Sequence, residues 1–73
     1  MNKKINISIV GTGLMGLQHI KAISKSKKAT LHSIVDISNN AKNLSKKYKI
    51  PLYSNVNELL NSKNLDAVIV ATP

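Results

Sequence analysis

The chain has 73 residues, enough for one small domain, and a domain of that size buries only about 60% of the surface its unfolded chain exposes. It contains no cysteine, which excludes disulfide staples and a thiol nucleophile and points to a reducing compartment. All eleven basic residues are Lys against three acidic ones, for a net charge of +8; without Arg for bidentate base contacts, or Phe or Trp for stacking, this charge reads as a solvated lysine face and no nucleic-acid partner is expected.

In chain order, the basic start Met1-Asn2-Lys3-Lys4 leads into Ile5 to Val10, a short apolar-rich strand. With Asn6 and Ser8 inside it, this stretch is too short and too polar for a signal peptide or a membrane span. A cytoplasmic protein with no membrane partner is therefore expected. A helix follows from Leu14 to about Ser26, with Gly16, Ile20 and Ile23 at i, i+4 and i+7 along its sheet-facing stripe. Thr30 to Val35 reads as a second strand with Asp36 at its carboxyl end. Ser38 is placed to cap a helix through about Tyr48, with Ala41, Leu44, Ser45 and Tyr48 along one face. Pro51-Leu52-Tyr53 reads as a short third strand, and Asn55-x-x-Glu58 as a capping-box start for a helix carrying Val56, Leu59 and Leu60. Ala67 to Ala71 is a continuous apolar run, as expected for a parallel strand covered on both faces. The order βαβαβαβ with right-handed crossovers predicts an α/β fold: a four-stranded parallel sheet in the order 3-2-1-4, a partial Rossmann fold.

The first strand runs directly into Val10-Gly11-Thr12-Gly13-Leu14-Met15-Gly16, and Asp36 stands twenty positions after Gly16. Strand, G-x-G-x-x-G, helix and strand-end acid together are the fingerprint of dinucleotide binding, each part with its own physical task. Gly11 permits the tight turn, Gly13 has no Cβ to block a pyrophosphate, and Gly16 lets the helix pack closely on the sheet. The unpaired N–H groups at the helix's positive end suit the pyrophosphate. A carboxylate at Asp36 can accept hydrogen bonds from both adenosine ribose hydroxyls and repels a 2′-phosphate, so NAD is expected over NADP. The bland alternative is that Asp36 merely turns the chain into the next helix. Met15 could touch a cofactor through its thioether stem or simply line the apolar wall. His19 and His32 read as a helix residue beside the turn and a strand residue; neither has partners for a metal or a nucleophile.

The run from Ile7 to Pro73 resembles the N-terminal domain of the Gfo/Idh/MocA oxidoreductases. The resemblance rests on the glycine run with His19, on Val35-Asp36, and on Tyr48-x-Ile50-Pro51-x-Tyr53. It continues through Val56-Asn57-Glu58-Leu59-Leu60 and Leu65-Asp66-Ala67-Val68-Ile69-Val70-Ala71-Thr72-Pro73. It implies an NAD(P)-binding Rossmann domain of an enzyme acting on a sugar, a cyclitol or a related carbonyl compound. It also implies that Ala71, Thr72 and Pro73 line the cofactor cleft, beside Gly11, Gly13, Leu14, Met15, Gly16 and Asp36. The family's catalytic lysine lies in a Glu-Lys-Pro motif on the next strand, and its acid/base histidine lies in a substrate domain that carries the usual oligomer interface. Neither falls within residues 1–73.

The chain is therefore expected to be the N-terminal part of a dinucleotide-binding domain, inactive alone, from a homo-oligomeric parent enzyme. The other reading is a self-standing module that binds or senses NAD without catalysis. On the first reading Val68, Ile69 and Val70 form an exposed sheet edge, which makes the isolated chain marginally stable and prone to self-association.

Overall fold

Seven elements alternate along residues 4–72, the residues that the computed structural model describes: β1 (Ile5–Val10), α1 (Leu14–Lys25), β2 (Ala29–Val35), α2 (Asn39–Tyr48), β3 (Leu52–Tyr53), α3 (Val56–Leu60) and β4 (Ala67–Val70). The strands make one parallel sheet in the order β3-β2-β1-β4, the order expected when each crossover is right-handed. Among the described residues no helix is long and apolar enough to cross a membrane.

Local chemistry accounts for the helices. In α1 the buried residues are Gly16, Ile20 and Ile23, the stripe set by the helical period. In α2 the Ser38 hydroxyl accepts the Ala41 N–H at 3.2 Å, which satisfies one of the donors left free at a helix start. Ala41 and Leu44 are the buried face of α2. At α3 the Asn55 side-chain oxygen accepts the Glu58 N–H at 2.9 Å. The return arm of this capping box differs from the usual form: Glu58 accepts from the Asn55 side-chain amide at 3.3 Å. Of the apolar residues expected to line α3, only Leu59 is buried.

The core lies on one face of the sheet, where Ile9, Leu31 and Ile34 pack against Ile20 and Ile23 of α1 and Ala41 and Leu44 of α2. On the opposite face Ser8 and Ser33 are fully buried, and the Ser33 hydroxyl donates to Ser8 Oγ at 2.9 Å. A β-bulge produces this polar pair. Ile7 pairs with Leu31 and Ser8 with Ser33, so His32 is an extra residue of β2 without a partner on β1. The His32 ring lies 2.8 Å from Ser33 Oγ through Nδ1, and its Nε2–H donates to the Lys63 carbonyl at 2.8 Å.

The apolar run of β4 is not covered on both faces, as its composition suggested, but forms the exposed sheet edge expected for the N-terminal part of a larger domain. Ala67, Val68 and Val70 are exposed and Ile69 is half-buried. The physical reason is position: among the described residues β4 pairs only with β1 and stands at the edge of the sheet.

Candidate functional site

The carboxyl ends of β1, β2 and β4 open into a cleft of about 820 Å³. Ladder bonds continue one residue past these strands: Gly11 N–H donates to Val35 O at 2.8 Å and Ala71 N–H to Val10 O at 2.8 Å. These bonds hold the glycine turn and the end of β4 in fixed relation to the Asp36 turn.

The three glycines occupy three different environments. Gly11 has φ +96°, a left-handed conformation, and a Cβ there would also lie 2.9 Å from Thr72 Cγ2. At Gly16 a Cβ would collide with the carbonyl oxygen of Gly11, whereas the nearest sheet atom, Ile9 Cγ2, lies at 3.7 Å. The close approach that Gly16 permits is thus between α1 and its own preceding turn, rather than between α1 and the sheet. A Cβ at Gly13 would meet nothing within 4 Å, although Gly13 lines the cleft. Gly13 is also the N-cap of α1, where no side chain caps the helix and the first turn carries no acid. The helix therefore keeps the N–H groups of its first turn free of side-chain acceptors beside an open space.

Asp36 closes the other side. Its Oδ1 accepts the N–H groups of Ile37 at 2.7 Å and Ser38 at 3.1 Å, turning the chain toward α2. Its Oδ2 accepts the Thr12 N–H at 2.7 Å and the Thr12 hydroxyl at 2.5 Å. The carboxylate is thus both a turn residue and a tie to the glycine loop. The Thr12 hydroxyl, against the opposing effect of burial and with help from the backbone bonds, holds Asp36 below its ordinary pKa. The group is a carboxylate at neutral pH.

Of the residues singled out in the sequence, Gly11, Gly13, Leu14, Met15, Asp36, Ala71 and Thr72 line one cleft. Gly16 is buried behind it, and Pro73 lies outside the described residues. Leu14 and Met15 are exposed and put apolar surface on the rim. His19 is half-buried on α1 and is not part of the cleft wall. Sequence reasoning missed Thr12, Ile37, Ser54, Asn55 and Val56, which complete much of the wall. A signal for the last three existed: in open α/β sheets, ligands lie outside the carboxyl ends of the strands, and Ser54 directly follows β3.

The model of an oxidoreductase family with an NAD-binding Rossmann fold, Gfo/Idh/MocA, matches residues 5–73. Similar solved structures include apo scyllo-inositol dehydrogenase from Lactobacillus casei, at 24% identity and TM-score 0.87 over 99% of this chain and 22% of that one. GenD2 from gentamicin A biosynthesis, in complex with NAD, has 24% identity and TM-score 0.88 over 97% of this chain and 21% of that one. An NAD-binding protein from Listeria innocua is similar at 30% identity and TM-score 0.82, over 97% of this chain and 21% of that one. No curated protein matches the sequence. The chain spans about a fifth of the length of these structures. From the match over residues 5–73, with the strand order and glycine turn that accompany it, the chain belongs to the Gfo/Idh/MocA oxidoreductase family and carries its NAD-binding Rossmann fold.

Proposed function

We propose that the chain binds NAD in this cleft as the N-terminal part of a dinucleotide-binding domain, and that it serves an oxidoreductase acting on a sugar, a cyclitol or a related carbonyl compound. The observation that carries the reading is the juxtaposition of an open Cβ position at Gly13, beside the uncapped start of α1, with the Asp36 carboxylate across the same cleft. The pyrophosphate lies against the Gly13-Leu14-Met15 turn, where the helix end supplies N–H donors and positive potential. Asp36 accepts the adenosine ribose hydroxyls, and its negative charge disfavours a 2′-phosphate, so NAD is bound in preference to NADP. Ile37 and Val56, both exposed apolar side chains on the cleft wall, flank the adenine. Ala71 and Thr72 extend the wall beyond the pyrophosphate.

NAD supplies hydride transfer when bound. This chain's own residues bind and orient the adenosine and pyrophosphate half. The catalytic lysine lies on the strand that follows in the whole enzyme, and the acid/base histidine, the carbonyl pocket and the homo-oligomer interface lie in its substrate domain. The test is calorimetry with NAD and NADP on the unaltered chain and on Asp36→Ala. NAD is expected to bind about tenfold or more tightly than NADP, and the substitution to narrow that gap. Equal affinities for the two in the unaltered chain would overturn the assignment to Asp36.

A further inference from the structure

The glycine pattern assigns no task to Thr12, which fills a variable position of the turn, yet its side chain makes the shortest contact to Asp36. Thr12 is 4% exposed while Asp36 is half-buried at the cleft. Thr12 is thus a nearly buried residue of the cleft wall in contact with a carboxylate that stays partly open to the cleft. The hydroxyl's single proton is committed to Asp36, because an ionised carboxylate only accepts. Ser38 Oγ, 3.4 Å from Thr12 Oγ1, is then the donor of that pair, and the same Ser38 oxygen caps α2. One hydroxyl thus connects three parts of the fold: the turn before α1, the acid after β2 and the first turn of α2. The two Oδ1 bonds come from the next two residues of the same turn, and they travel with Asp36 if that turn moves. Of the four bonds to the Asp36 carboxylate, the two from Thr12 to Oδ2 are the ones that reach across to the glycine loop, 24 residues away in sequence.

We propose that Thr12 is the positioning residue of the ribose site, its hydroxyl fixing the Asp36 carboxylate in the orientation that accepts an unphosphorylated adenosine ribose and turns away a 2′-phosphate. This rests on the NAD reading of the cleft. The bond to Oδ2 is charge-assisted, short and part-buried, so it restrains the carboxylate more firmly than a fully solvent-exposed contact would. A carboxylate without it is freer to rotate, holding the ribose hydroxyls less well and yielding more readily to a 2′-phosphate. The same bond is the main cause of the lowered Asp36 pKa, which supplies a readout independent of ligand.

The test compares the unaltered chain with Thr12→Val, Thr12→Ala and Thr12→Ser, by calorimetry with NAD and with NADP and by carboxyl NMR titration of Asp36. With the hydroxyl removed, NAD affinity is expected to fall about tenfold, the size of one charge-assisted hydrogen bond, while NADP affinity changes less. The Asp36 titration moves up in pH. Thr12→Ser restores the preference and the titration. Thr12→Ala answers the same question should the second methyl of valine disturb the turn. A general loosening of the fold would lower both affinities together. If the unaltered chain binds NAD and the valine and alanine variants keep both its affinity and its NAD/NADP ratio, the role of Thr12 is overturned and the NAD reading stands. If the unaltered chain binds neither dinucleotide, the NAD reading falls, and this proposal with it.

Discussion

The two faces of the sheet are made from the same strands and differ in almost every other respect. The face beneath α1 and α2 is packed with Ile9, Ile20, Ile23, Leu31, Ile34, Ala41 and Leu44. The face beneath α3 buries Leu59, Val35 and a hydrogen-bonded serine pair, and leaves Val70 67% exposed and Leu60 66% exposed. Helix length explains the difference. The helices α1 and α2 run for 12 and 10 residues and each lays a stripe on the sheet, whereas α3 has 5 residues and reaches it with one leucine. Cohesion is therefore concentrated on one side. The cleft sits at the carboxyl rim, where α1, anchored on the packed face, delivers the glycine turn.

The contrast is sharpest for core truncations. Ile20→Ala, at a fully buried site, is expected to lose about 3–4 kcal/mol, the range for deleting a buried aliphatic side chain. Total domain stability is typically about 5–15 kcal/mol, so the urea midpoint should fall steeply. Val70→Thr on the other face should change the stability by about 0.5 kcal/mol or less. Comparable losses at the two sites would mean that the faces share the load.

The glycines divide in the same way. Gly16→Ala forces a methyl into the Gly11 carbonyl and should cost about 2–3 kcal/mol, in the range for overpacking. Gly13→Val projects into open space, so it should cost only about 1 kcal/mol, the size of a lost N-cap preference, while calorimetry shows NAD binding lost. A Gly13→Val chain that still binds NAD would show the glycine run to be only a turn.

At the β4 edge, Val70→Lys should reduce self-association of the 73-residue chain, since charge on an exposed strand edge opposes pairing with another copy. Sedimentation at high micromolar concentration reads this directly. A chain already monomeric there, with a sharp melt, would instead favour a self-standing module.

The smallest effect is with pH. The folded pKa of Asp36 lies below its ordinary value, chiefly through the Thr12 hydroxyl. Its contribution is therefore fully present above the unfolded pKa, about 3.9, and is lost as pH falls through the folded value. Urea midpoints for the unaltered chain and Asp36→Asn should converge at low pH. A gap that widens with acid would reverse the sign and remove Asp36 as its cause.

Much of this architecture could be read from the chain alone because its determinants are local. The stripe of Gly16, Ile20 and Ile23 needs only the helical period, and the Ser38 and Asn55 caps need only a hydroxyl or amide three residues before a free N–H. Crossover handedness then leaves few strand orders to choose from. Tertiary structure decided what depends on distant partners. The extra residue at His32 follows from register between β1 and β2, which no periodicity within one strand reports. The glycine spacing announced a turn, but only the folded chain showed that Gly16 makes room for the carbonyl of Gly11. The strand-end acid announced a carboxylate at the cleft, but its bond to Thr12 joins loops 24 residues apart and exists only once β1 and β2 lie side by side.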